Sequence, residues 1–142
     1  VDNTLQWKLN NYEADVVASL VTQLREHYKH ENLEWHKNSV GVITPYKAQI
    51  ALIKSKIPDF DDVTVDSVER YQGGARDIIL FSVCTNKPSQ MNALVSLNAD
   101  GVDRKLNVAI TRAREQLIII GNREIMEKDK NYKALISQCE EL

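Results

Sequence analysis

Glycine is scarce in this chain, with five among 142 residues, at 41, 73, 74, 101 and 121. No two of them frame a Gly-x-x-x-x-Gly-Lys-Ser/Thr loop, so the sequence holds no phosphate cradle of its own and cannot be a complete P-loop motor. Cysteine is scarcer: Cys84 and Cys139 lie far apart, without metal-ligand spacing. Each falls on an apolar face of its expected element, so both are read as buried thiols in a reducing compartment rather than a disulfide. Histidine is confined to His27, His30 and His36, with no cysteine or acid at ligand spacing, and these are read as solvated. No metal site is expected within the chain. No run approaches the roughly 20 apolar residues of a membrane span, and no signal peptide is visible, so no membrane partner is expected and the compartment is read as cytoplasmic, or nuclear in a eukaryote. Neither sign of charge dominates. At a formal net charge of −2, attraction to nucleic acid would have to come from local clusters. Repeats and low-complexity stretches are absent. The chain opens on Val1 without a methionine, from which a piece of a longer protein is expected.

What is present suits one domain with a real core: hydrophobic residues make up 43% and charged residues 27%. Leu5 to Leu9 reads as a short strand, and Asn10 with Glu13 three places on resembles a capping box. Ala14, Val17, Ala18, Val21, Leu24 and Tyr28 then recur at helical spacing. Val40 to Thr44 is an apolar β run that stops at Pro45, with Thr44 placed to cap a helix and Pro45 to occupy its first position. Tyr46, Ile50, Ile53 and Ile57 mark the buried face of that helix. Val63 to Val68 and Ile78 to Cys84 read as strands around the Gly73-Gly74 pair, and Thr85 to Asp103 as mostly loop, with a turn of structure at Met91 to Leu97. The pattern Tyr132, Leu135, Ile136, Cys139 predicts a last amphipathic helix. Strands alternating with helices make the class α/β.

The chemically informative stretch runs from Leu106 to Asn122. Leu106, Ala109, Ile110 and Ala113 form an apolar helical stripe, with Arg112 on one flank and Asn107, Thr111 and Arg114 on the other. A short break leads to Leu117–Ile120, a continuous β-branched run of the kind that forms a parallel strand covered on both faces. An arginine held just outside an α/β core, with no acid beside it, is suited to fork onto the oxygens of an anion supplied by something else. The plain alternative is a surface ion pair.

These words resemble a known family. LNVAITRAR, preceded by Asp103, Arg104 and Lys105, closely resembles motif VI of the superfamily-one helicases, in the branch of the nonsense-mediated-decay RNA helicase and the replication helicase-nucleases. TPYKAQ, from Thr44 to Gln49, resembles motif IV, and SVERYQGGARDIILFS, from Ser67 to Ser82, resembles motif V, in the family's order and spacing. With the family-like opening NNYEADVVASLV, the resemblance covers nearly the whole chain. It implies a RecA-like P-loop NTPase fold: a three-layer, doubly wound, mostly parallel sheet with helices on both faces. It also implies the second, C-terminal motor domain of a helicase, whose first RecA-like domain holds most of the ATP and Mg and is absent here. Arg112 maps onto the arginine finger. Gln72, Gly73, Gly74 and Arg114 would line the nucleotide cleft, while Thr44, Pro45, Tyr46 and Ser67 would face single-stranded DNA or RNA. Glu69 would steady neighbouring arginines, with Asn107 and Thr111 supporting. The branch implies 5′ to 3′ movement. One departure stands out: two residues beyond Gly73 the family usually has an acid that reaches the ATP ribose, and here it is Ala75. The competing reading is an α/β module that binds nucleic acid or protein and has no ATPase activity.

Overall fold

Four runs of aliphatic and β-branched residues form strands: β1 (Val40–Ile43), β2 (Thr64–Asp66), β3 (Arg76–Ser82) and β4 (Ala113–Ile120). The computed structural model describes residues 9–57, 62–86 and 104–141. The expected turn at Met91–Leu97 and all but Leu9 of the first expected strand lie outside them. All pairings are parallel, in the order β2-β1-β3-β4, with Val42 opposite both Val65 and Leu80, and Leu80 opposite Ile118. Because side chains alternate, each strand feeds two cores. Val40, Val42, Ile78 and Leu80 point to one face and pack against α1 (Asn11–His30) and α2 (Lys47–Lys56) through Val17, Val21 and Ile53. Ile43, Ile79 and Phe81 point to the other, against Leu106 and Ala109 of α3 (Arg104–Arg112), Ile125 and Met126 of α4 (Arg123–Met126), and Tyr132 of α5 (Lys130–Ile136). The result is the three-layer, doubly wound α/β fold expected. No helix among the described residues is long and apolar enough to cross a membrane.

Several boundaries differ from expectation for local reasons. The helix after β1 starts at Lys47, with Tyr46 at its N-cap and no side-chain cap, so Thr44 does not cap it. Thr44 instead continues the strand, its N–H donating to Asp66 O at 3.2 Å. Helix α3 ends at Arg112, and Ala113 already pairs with Arg76, so Arg114 lies on a strand and not on the helix flank. Ladder formation along β3 captures the chain before another helical turn can form. Ile110, expected in the apolar stripe, is 40% exposed, whereas Val108 packs against the core. The buried arc runs from Leu106 through Ala109 round to Val108, and Ile110, although only about 40° from Leu106, lies just beyond the edge of that arc. Cys84 is buried as expected; Cys139 is exposed, because α5 ends at Ile136 and leaves it beyond the helix.

Candidate functional site

In a parallel sheet the two ends of the strands are chemically different edges, and the residues singled out by sequence divide between them. At the amino edge, the turn Glu69–Gly73 delivers the chain into β3. It is held there by Tyr71, which is buried and donates its hydroxyl to Thr64 O at 2.6 Å. The Arg76 guanidinium lies 5.5 Å from the Tyr71 ring centroid and donates to Thr64 Oγ1 at 3.1 Å and Ala75 O at 3.0 Å. A Cβ at Gly74 would lie 2.8 Å from Arg76 Nη1, the far end of a flexible side chain that would have to move aside. Beside this turn, across the Arg76–Ala113 pairing, stands Arg112 at the end of α3. It is partly buried and makes no hydrogen bond or ion pair among the described residues, and its Nε is enclosed without a partner. That leaves a partly buried cation at this edge with no counter-charge among the described residues.

Its neighbours are engaged differently. Arg114 donates to Asp77 Oδ1 at 3.2 Å, from the start of β4 to the start of β3, so Asp77 supports strand pairing. Glu69 lies 3.9 Å from Lys105 Nζ at the start of α3, rather than against an arginine. Asn107 and Thr111 are exposed on α3, and the Thr111 hydroxyl donates to Val108 O at 3.1 Å. Gly73 ends the turn, and Gln72 lies within it. Among the described residues no group of three or more His, Cys, Asp or Glu is placed to hold a metal ion.

The carboxyl edge gathers the other set. Ile43 and Asp66 are in register, which puts Thr44 and Ser67 side by side where β1 and β2 end. Pro45, Tyr46 and Ser67 are partly exposed, while Thr44 is wholly buried, its hydroxyl without a hydrogen-bond partner among the described residues. The Ser67 N–H donates to Asp66 Oδ1 at 2.8 Å, fixing the turn. With seven residues in β3, the two edges are roughly 20 Å apart along that strand.

Open α/β sheets usually bind ligands where the winding reverses, here between the carboxyl ends of β1 and β3. At the carboxyl end of β3 the protein places a carboxylate of its own. Glu13, 2% exposed, accepts from Ser82 Oγ (2.9 Å), Cys84 N (2.8 Å), Thr85 N (2.8 Å), Thr85 Oγ1 (3.0 Å) and Asn10 Nδ2 (3.2 Å). The capping-box pattern pointed at Glu13 but to a local role. Asn10 does cap α1 through Glu13 N at 2.9 Å, yet the Asn10 N–H that a capping-box glutamate would bond is taken by Gln49 Oε1 at 2.8 Å. No signal in the sequence connects positions so far apart. A groove of about 850 Å³ runs along β4 past Tyr12, Leu20 and Met126 and reaches the carboxyl edge, where Asn10, Glu13, Thr85 and Asn122 line it.

The AAA domain family matches residues 2–124 of the chain. Over 140 residues the chain is 34% identical to the DNA polymerase alpha-associated DNA helicase A of Saccharomyces cerevisiae, an alignment covering 94% of this chain and 19% of that protein. It is 37% identical over 106 residues to the Probable RNA helicase armi of Drosophila melanogaster, covering 72% of this chain and 9% of that one. To the DNA replication ATP-dependent helicase/nuclease JHS1 of Arabidopsis thaliana it is 30% identical over 132 residues, covering 93% and 10%. The chain thus spans less than a fifth of the length of these relatives. Its parallel sheet wound on both faces and a family match over most of its length agree: the chain belongs to the AAA domain family, with a P-loop NTPase type of fold, and its relatives are helicases.

Proposed function

We propose that this chain is the second RecA-like motor domain of a superfamily-one, ATP-dependent helicase that moves 5′ to 3′ along single-stranded DNA or RNA, with Arg112 as its arginine finger. The observation that carries the reading is the Arg112 guanidinium, partly buried without a counter-charge among the described residues, beside the Gly73-Gly74 turn. ATP, when bound with Mg chiefly by the first motor domain, supplies the phosphoanhydride whose cleavage drives movement. Arg112 forks onto the negative charge that develops at the transferring phosphoryl group, already partly buried and so costing little reorganisation. The backbone at Gly73 and Gly74 is narrow enough for phosphate oxygens to approach, with Gln72 beside it. Arg114, tied to Asp77, shapes this edge from one strand further on.

At the opposite edge Pro45, Tyr46 and Ser67 meet the sugar–phosphate backbone, with Thr44 directly beneath them. Phosphate contacts carry position and not sequence, so binding is sequence-tolerant. The relatives divide between DNA and RNA helicases, and the proposal takes a single strand of either kind. Two ligands at opposite edges of one sheet suit a motor, because closing the nucleotide edge on the other domain swings the far edge along the strand. The test is Arg112→Ala in the full-length protein. It is expected to lower kcat on the order of 10³-fold while single-strand affinity stays within a few fold, because the finger acts on the transition state. Unchanged turnover would return Arg112 to the surface.

A further inference from the structure

We propose that Glu13 and Gln49 are positioning residues that hold the nucleic-acid edge in shape, an inference that rests on the function proposed above. A helix cap needs only the bond from Glu13 N to Asn10 Oδ1. The structure has a good deal more. Gln49 brackets the Asn10 backbone, accepting from its N–H at 2.8 Å and donating to its carbonyl at 3.0 Å, and also reaches Ser82 Oγ at 3.5 Å. Glu13 is thereby released from its local partner and turns its carboxylate onto β3 and the residues that follow it, Ser82, Cys84 and Thr85. From Thr85 Oγ1 the network continues to the Asn122 N–H at 2.6 Å, where β4 passes into α4. Glu13 and Gln49 are buried, and Glu13 forms no ion pair among the described residues. One acceptor-only group therefore ties the start of α1, the exits of β3 and β4, and, through Gln49, the helix that begins directly after Tyr46.

Every one of these connections lies at the carboxyl edge, and none reaches Arg112 or Gly74. The network therefore fixes where Tyr46 and the end of β1 stand relative to β3, and leaves the nucleotide edge alone. Replacing the carboxylate by an amide is a sharp probe, because Glu13→Gln turns one oxygen into a donor that must face donors in either orientation.

The experiment uses the full-length protein with Glu13→Gln and, as a milder variant that keeps the carboxylate, Thr85→Val. A labelled oligonucleotide reports single-strand affinity, a non-hydrolysable ATP analogue reports nucleotide affinity, and thermal unfolding reports the fold. Glu13→Gln is expected to weaken the oligonucleotide by at least about tenfold and leave the analogue within about twofold, because the charge-assisted bonds it loses all lie at one edge. Thr85→Val should show the same split at smaller size, and decides the matter if Glu13→Gln does not fold. Parallel weakening of both ligands would reduce the network to general stability and overturn the proposal. So would unchanged oligonucleotide affinity in a folded variant. Failure of the underlying function shows differently: the wild-type protein would then bind no single strand, and the proposal falls with it.

Discussion

Arg112 and Arg114 are separated by a single alanine, yet one is bonded to Asp77 and the other has no partner among the described residues. The difference comes from the helix ending between them. Asp77 is held by Arg114 through Oδ1 at the start of β3, and only its remaining acceptor positions are open to a ribose in place of the missing acid at Ala75. A methyl group accepts no hydrogen bond, so the full-length protein is expected to discriminate poorly between ATP and deoxy-ATP. Ala75→Glu should tighten nucleotide binding by about 1 kcal/mol, the net worth of one such bond. Paired nucleotide titrations on wild type and mutant decide it, and unchanged affinity in a folded mutant would place sugar recognition elsewhere. A different residue-scale outcome concerns alkali. Burial pushes the Cys84 thiol from 9.0 up to about 12, with the Glu13 carboxylate adding to the effect. Burial likewise raises the Tyr71 phenol well above its usual range, with the nearby Arg76 charge opposing in part. Both groups keep their protons in the fold longer than in the unfolded chain. Their stabilising contribution is therefore complete below pH 9 and declines as pH climbs from about 9 towards 12. Urea midpoints measured across that range should fall steadily, and Cys84→Ala should flatten part of the slope. Cys139, exposed, should be alkylated in the folded protein while Cys84 is spared.

Among the elements, β1 carries an unusual demand. Gly41 sits in the middle of the sheet, on the side where Tyr71 and Arg76 anchor the turn into β3. A Cβ there would lie 2.5 Å from the Tyr71 hydroxyl oxygen and 2.9 Å from Arg76 Cγ. Gly41→Ala should therefore displace Tyr71 and destabilise the domain by about 1–3 kcal/mol, the usual cost of overpacking a filled site. Equilibrium denaturation measures the loss, and a neutral result would show that the turn repacks freely. The sequence announced β1 by its apolar run, and β3 and the Leu117–Ile120 part of β4 likewise, because burial on both faces leaves little room for polar residues. It announced α1 by periodicity. The requirement for glycine at 41 was not legible, because the clash is with residues thirty and more positions away. The end of α3 was misread for a similar reason: helical spacing continues through Ala113, and only pairing with β3 stops it.

Across the whole molecule, the two candidate sites lie at opposite ends of the same strands, and on the proposed function the chain supplies only part of what ATP hydrolysis needs. The 142-residue chain alone is expected to show no nucleic-acid-stimulated ATP hydrolysis, because it has no phosphate loop. A coupled phosphate-release assay on the purified chain checks this, and robust turnover would end the motor-domain reading. The sequence by itself determined the α/β class, the main helices and strands, and which arginine to watch. Those are set by local hydrophobic periodicity and short motifs, and both are written in consecutive residues. Only the tertiary structure decided that Thr44 is enclosed, that Arg114 is engaged while Arg112 has no partner among the described residues, and that Glu13 is bonded to the end of β3 and the residues after it. Each of those depends on which distant groups the parallel register brings within hydrogen-bond reach. Pairing β3 with β4 sets Asp77 beside Arg114, and laying α1 over the sheet sets Glu13 against the end of β3, contacts that no spacing along the chain encodes.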